Sequence, residues 1–167
     1  MTDFEERVVA HLPGLRRFAR SLCRDALEAE DLVQDCVARA FAARRSFRGD
    51  NLKAWLATIM VNHFRGNLRR ARSRPVMLPI DDWQARLADG GQGDPVAQNR
   101  LSTAIDQLGP DQRVVLMLVV VEGYRYEEVA QILSVPVGTV MSRLSRARRL
   151  LAEILRGDNI VEFRSRR

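Results

Sequence analysis

Cysteine is scarce: Cys23 and Cys36 are the only two in 167 residues, set in alanine-rich surroundings without CxxC or CxxxC spacing. That argues against a disulfide framework and a zinc site and reads both as small core residues. Histidine is as rare, and His11 and His63 lack metal-ligand spacing, so each is expected as a surface or boundary side chain. Aromatic residues make up 6% of the chain, and apolar residues recur at three and four positions rather than at two, which leaves little material for strands. No run approaches the roughly 18 apolar residues that span a bilayer, and no basic start joins an apolar leader and cleavage site. A cytoplasmic location without membrane insertion is therefore expected. Nucleophile motifs and a glycine-rich phosphate loop behind a strand are missing as well, so no enzyme activity, catalytic residue, metal or cofactor is expected. There is no internal repeat and no low-complexity tract.

Lysine is nearly absent too, for 26 of the 27 basic residues are arginine in a chain of net charge +6 and pI near 10.5. Guanidinium groups grip phosphates in a forked geometry that ammonium cannot match, which favours a polyanionic partner. A genome rich in G and C enriches arginine too, so composition alone leaves both readings open. The charge is unevenly placed. Residues 1–75 hold 15 basic against 9 acidic side chains, residues 76–97 hold 1 against 4, and residues 98–167 hold 11 against 8. Two basic blocks flank an acidic stretch.

The pattern is all-α, with two small helical domains. Phe4, Val8 and Leu12 mark a first helix, Pro13-Gly14 is expected to interrupt it, and Leu15, Phe18, Ala19 and Leu22 continue the face in a second. A third opens at Asp25 with a capping-box pattern through Glu28, runs to about Arg45, and buries Ala29, Leu32, Val33, Cys36, Val37, Ala40 and Phe41. Its other face carries Glu30, Asp31, Gln34, Asp35 and Arg39. A fourth, from Asn51 to about Arg72, buries Leu52, Trp55, Leu56, Ile59, Met60 and Phe64 and ends among Arg65, Arg69, Arg70, Arg72 and Arg74.

Residues 76–97 are expected as a flexible linker because they combine Pro79, the run Gly90-Gly91-Gln92-Gly93 and Asp94-Pro95 with acids; Ile80, Trp83 and Leu87 suit a short docking turn within it. The second block, 98–158, starts with Leu101, Ala104, Ile105 and Leu108 on one face and stops at Gly109-Pro110. Val114 to Val121 is apolar throughout; Pro110-Asp111 before it and Gly123 after it favour a buried helix over a strand. A basic tail, 159–167, ends the chain.

From Tyr126 a short helix turns Val129, Ala130, Ile132 and Leu133 inward, Ser134-Val135-Pro136 breaks it, and a longer helix begins near Gly138. Two helices joined by so tight a turn form the helix-turn-helix unit, whose second helix fits a major groove. In that helix Val140, Leu144, Ala147 and Leu151 share the inner face, leaving Thr139, Ser142, Arg143, Arg146 and Arg149 as donors for phosphates and guanine edges. At the arginine end of the fourth helix, Trp55, Asn62 and His63 set stacking and hydrogen-bonding groups beside charge, the combination suited to single-stranded DNA.

Gly123-Tyr124-Arg125-Tyr126-Glu127-Glu128-Val129-Ala130 followed by Val135-Pro136-Val137-Gly138-Thr139-Val140-Met141-Ser142-Arg143-Leu144-Ser145-Arg146-Ala147-Arg148 resembles region 4 of the extracytoplasmic-function (ECF, group IV) sigma factors of the sigma-70 family. Glu30-Asp31-Leu32-Val33-Gln34-Asp35 with Arg39-Ala40-Phe41, then Ala54-Trp55-Leu56 with Asn62, resembles region 2 of that family. The resemblance implies a transcription initiation factor that brings core RNA polymerase to promoter DNA. It implies that Asp31, Gln34, Asp35 and Arg39 meet the coiled coil of the polymerase β′ subunit and that the second domain meets the β flap. It places Asn51, Lys53, Trp55, Asn62, His63, Arg65 and Arg69 at the minus-10 element, and Thr139, Ser142, Arg143, Arg146 and Arg149 at the minus-35 element. The stretch Phe47-Arg48-Gly49-Asp50-Asn51-Leu52 with Thr58-Ile59 also resembles the alphaproteobacterial general-stress branch, which implies a small helical anti-sigma factor as regulator.

Three positions depart from the family pattern. Arg125 replaces the usual Ser or Thr cap, so fraying of the short helix is expected. Met141 stands where many members carry arginine. Gly66-Asn67 replaces a charged pair, and the glycine is expected to weaken its helix or permit a bend. Two other readings fit less of the chain: a sigma-like decoy that titrates an anti-sigma factor, whose relatives carry a receiver domain, and a stand-alone helix-turn-helix regulator, which leaves the acidic face of the third helix and the Trp55 region without a task.

Overall fold

The computed structural model describes residues 2–73 and 95–164, with the backbone alone for Pro95 and residues 158–164. The expected linker up to residue 94, including Ile80, Trp83 and Leu87, lies outside the described residues, as do Arg74 and the end of the basic tail at 165–167. Among the described residues there are seven α-helices and no strand.

Helix α1 (Asp3–Leu22) is one helix, not two. A proline inside a helix removes one amide donor and crowds the carbonyl four residues back. Here Pro13 is exposed and that carbonyl belongs to Val9, itself exposed, so water can take the freed acceptor. On the opposite side Val8, Leu15, Phe18, Ala19 and Leu22 form an unbroken buried face, and this packing outweighs the local break. The start is held reciprocally: the Thr2 amide donates to Glu5 Oε2 at 3.0 Å and the Glu5 amide to Thr2 Oγ1 at 3.4 Å.

Helix α2 (Ala26–Ala42) begins where the Glu28 amide donates to Asp25 Oδ1 at 2.7 Å; the Glu28 carboxylate reaches back to the Arg24 amide, one residue before the cap. It stops three residues before the expected Arg45, and Arg44–Ser46 forms a 3₁₀ turn. Helix α3 (Leu52–Arg72) is capped by Asn51, whose Oδ1 accepts the Ala54 amide at 3.0 Å. It passes through Gly66 uninterrupted, and a Cβ at Gly66 meets only the end of Arg70, at 3.8 Å. Gly66→Ala is therefore expected to stabilise the chain by about 1 kcal/mol, the usual helix-interior difference. In scanning calorimetry that corresponds to roughly 2–4 °C in Tm for a chain of this size; a lower Tm would show that the position needs glycine.

Helices α1, α2 and α3 pack on one another around Phe18, Leu22, Cys36, Leu56, Met60 and Val61. Cys36 is wholly buried with Sγ 3.5 Å from the Leu56 carbonyl, and burial pushes its thiol up from 9.0 to about 12. A folded-state pKa raised this way contributes stability in full below pH 9 and loses it as pH rises toward 12. Tyr124 acts in the same direction, raised by burial and then by the charges of Glu122 and Glu128. Urea midpoints are thus expected to fall above pH 9, and Cys36 to resist alkylation at neutral pH until the chain unfolds; ready labelling of the native protein at Cys36 would contradict the packing.

The second unit comprises α4 (Pro95–Asp106), α5 (Pro110–Val120), α6 (Tyr126–Leu133) and α7 (Val137–Arg164). Helix α4 takes in 95–97, which were expected in the linker: Pro95 stands at the first helical position, where its missing N–H costs no bond. Helix α7 continues to Arg164, so most of the expected tail is helical. The apolar run after Pro110 is a helix, as its boundary residues indicated. Arg113 to Leu118 are all buried because α6 and α7 pack on α5 from one side and α1 of the first unit packs on it from another. A helix apolar all round needs cover all round.

Candidate nucleic-acid interface

Helices α6 and α7 meet through Ser134-Val135-Pro136, with Ser134 in the left-handed region at φ 53°. The Val135 amide donates to the Ala130 carbonyl at 3.0 Å, and the Thr139 amide to the Pro136 carbonyl at 3.0 Å, which closes one helix and starts the next. Val129, Ala130, Ile132 and Leu133 of α6 are buried against Val140, Leu144 and Ala147 of α7. The start of α6 does not depend on a side chain at Arg125: the Glu128 carboxylate accepts the Arg125 amide at 2.8 Å and supplies the arm of the cap that the sequence retains.

Among the groups expected at duplex DNA, Ser142, Arg146 and Arg149 are exposed on the outer face of α7, and so is Met141. Thr139 is half-buried, and the Ser142 hydroxyl donates to its carbonyl at 3.1 Å. Arg143 differs. Its side chain is largely covered, with Nη2 3.4 Å from Asp111 Oδ2.

In the first unit Asp31, Gln34, Asp35 and Arg39 are exposed together on one side of α2. On α3, Asn62 and Arg69 are exposed, and Asn51 is exposed with its side-chain oxygen engaged as the helix cap. Trp55 is half-buried in a nest of rings, 5.2 Å from Phe47 and 6.2 Å from Phe4 between centroids, so its ring ties the loop before α3 to the start of α1. His63 is buried, not at a surface or boundary. It lies on the inward side of α3 beside Met60 and Phe64, and its Nε2 is 2.7 Å from Asp35 Oδ2. That contact joins the acidic face of α2 to α3.

Three of the expected DNA contacts meet carboxylates of the second unit. Lys53 Nζ lies 3.3 Å from Glu122 Oε2, donates to the Glu122 carbonyl at 3.1 Å and sits 4.8 Å over the Tyr124 ring. Arg65 Nη2 is 2.6 Å from Asp111 Oδ1, so Asp111 serves Arg65 and Arg143 together. Arg113, 6% exposed, donates to the Leu22 carbonyl at the end of α1 and to Ile105 O and Asp106 Oδ1 of its own unit. Asp111 was read from sequence only as part of a helix start, and Arg113 and Glu122 were not singled out. Of those two, Arg113 carries a signal, as a charge at the mouth of an apolar run. Among the described residues no group of three metal-ligating side chains occurs, and no helix is long and apolar enough to cross a membrane.

A helix-turn-helix with a basic outer face, packed with a second helical unit that exposes a polar, mainly acidic side of α2, has the architecture of a two-part DNA-binding protein. Residues 8–74 match the family model for sigma-70 region 2 and residues 98–151 that for sigma-70 region 4. The chain is 38% identical over 165 residues to the ECF RNA polymerase sigma factor EcfG of Rhodopseudomonas palustris, covering 98% of this chain and 91% of that one. It is 32% identical over 134 residues to the ECF RNA polymerase sigma-E factor of Escherichia coli K12, covering 72% and 70%. Among solved structures it resembles the sigma factor RpoE of Bartonella quintana, determined with the anti-sigma factor NepR, at a TM-score of 0.75 and 36% identity over 93% of this chain and 98% of that one. The chain belongs to the ECF RNA polymerase sigma factors. It is accordingly an initiation factor that associates with core RNA polymerase and directs it to promoter DNA.

Proposed function

We propose that the first unit, residues 1–75, docks on polymerase and opens the minus-10 element, while the second, from Pro95 to about residue 158, reads the minus-35 element. The observation that carries this assignment is which groups are exposed together: Asp31, Gln34, Asp35 and Arg39 on one side of α2, with Asp35 reaching His63 of α3, and Ser142, Arg146 and Arg149 on the outer face of α7. The α2 face is the one offered to the β′ coiled coil, and the second unit meets the β flap. Asn62 and Arg69 are the freely accessible minus-10 groups; Lys53, Arg65 and Arg143 join once their carboxylate partners are displaced. Trp55 and His63 shape that surface through the ring nest and the Asp35 contact. In this role the protein binds and orients, with no chemistry of its own, in the cytoplasm where polymerase works.

An anti-sigma factor is proposed as its regulator, within the general-stress branch. The likeness to a sigma factor solved with its anti-sigma partner spans both units, and the Phe47–Leu52 loop points to the same branch. Adding the purified chain to core polymerase with a bank of promoters tests the assignment. Specific transcripts are expected. Core binding without transcripts would instead favour a decoy, and duplex binding without core binding a stand-alone regulator.

A further inference from the structure

Helix α5 is bracketed by two acids. Asp111 lies in its first turn and Glu122 just past its end, 11 positions apart, while their partners Arg65 and Lys53 lie 12 positions apart on α3 in the opposite order. At 1.5 Å per helical residue the two spacings are roughly 17 and 18 Å, so the acids form a ruler that matches the cations. Between them α1 covers a side of α5, and one apolar core runs through both units. Glu122 is only 4% exposed at its side chain, and Arg17 Nε adds a second cation 4.0 Å away. A carboxylate buried this way holds only while paired, whereas the Asp111 pairs are half in solvent and gain their effect by acting together.

We propose that this chain, with no partner bound, holds itself closed by this two-point acidic clamp, in which Asp111 and Glu122 take the places that promoter phosphates would take on Lys53, Arg65 and Arg143. Closure itself stands on the contacts above; only its inhibitory consequence rests on the DNA-contact reading. DNA competes for the same cations, so binding requires opening.

Small-angle scattering of the full chain, without DNA or polymerase, tests closure independently of the sigma reading. In about 0.1 M salt the wild type is expected near the radius of gyration of roughly 15 Å for a compact chain of this length. Asp111→Arg, which sets three cations together, is expected to expand it, and Arg65→Asp with Asp111→Arg to restore compactness by exchanging the charges. An expanded wild type, or an Asp111→Arg chain as compact as the wild type, would overturn the clamp. Should Asp111→Arg lose helical circular dichroism, Arg65→Asp alone decides: it sets two carboxylates together at that end of the clamp and is expected to expand the chain, and a folded Arg65→Asp chain as compact as the wild type overturns the proposal. The inhibitory consequence is read on a promoter duplex. Asp111→Asn is expected to bind at least about fivefold tighter than Glu6→Gln, which removes the same charge from an exposed site. Equal affinities would remove the autoinhibitory role while leaving closure standing.

Discussion

Arg113→Met is expected to cost about 3–5 kcal/mol of folding stability, a large share of the 5–15 kcal/mol typical of a whole domain. The guanidinium is buried, and methionine replaces its apolar stem without its donors. Asp106, 8% exposed at its side chain and 3.0 Å from Nη2, would keep a buried charge without its guanidinium. The Ile105 and Leu22 carbonyls would lose their bonds at 2.9 and 3.2 Å. The Leu22 bond matters twice, because it satisfies an acceptor at the end of α1 that the helix itself leaves open and does so from the other unit. Urea unfolding measures the loss. The double variant Arg113→Met with Asp106→Leu is expected to recover most of it, since removing both charges leaves neither stranded. A single-variant loss below about 1 kcal/mol would mean that water replaces the guanidinium at little cost.

Arg146→Ala is expected to weaken discrimination at one base pair of the minus-35 element by about 1–3 kcal/mol. Its side chain is exposed on the outer face of α7, one turn beyond Ser142, and no carboxylate of the described residues holds it in an ion pair. Arg143, three residues earlier, is engaged with Asp111 instead. The measurement is affinity across a panel of duplexes carrying each base at each position. A loss confined to one position marks base readout; an even loss across the panel assigns Arg146 to a phosphate, and no loss removes it from the interface.

Most of the fold was legible in the sequence because its helices obey strong local rules. Asp25 with Glu28, Asn51, Pro110 and the Ser134–Pro136 break mark helix ends by hydrogen-bonding chemistry that acts within a few residues. Pro13 misled for the complementary reason: its local effect is real, but the buried face from Val8 to Leu22 overrides it, and that face is a tertiary fact. The same division holds at the interface. Ser142, Arg146, Arg149 and the α2 group follow from helical period alone. The engagement of Lys53, Arg65 and Arg143 by Glu122 and Asp111 joins residues 46 to 69 positions apart or across a helix bundle, and no periodicity encodes such pairs. His63 shows an intermediate case. It was expected at a surface or boundary, although it lies one position before the buried Phe64, and the partner that makes its burial tolerable, Asp35, belongs to another helix.

One chain that reads two promoter elements on one polymerase should leave a combined footprint on a promoter selected by the reconstituted holoenzyme. An upstream protected patch is expected to be lost in Arg146→Ala, and permanganate-reactive thymines at the downstream element are expected only when core polymerase and this chain are both present. Thymine reactivity with core alone, or upstream protection by the chain that stays the same without core and is never joined by melting, would contradict that two-element reading.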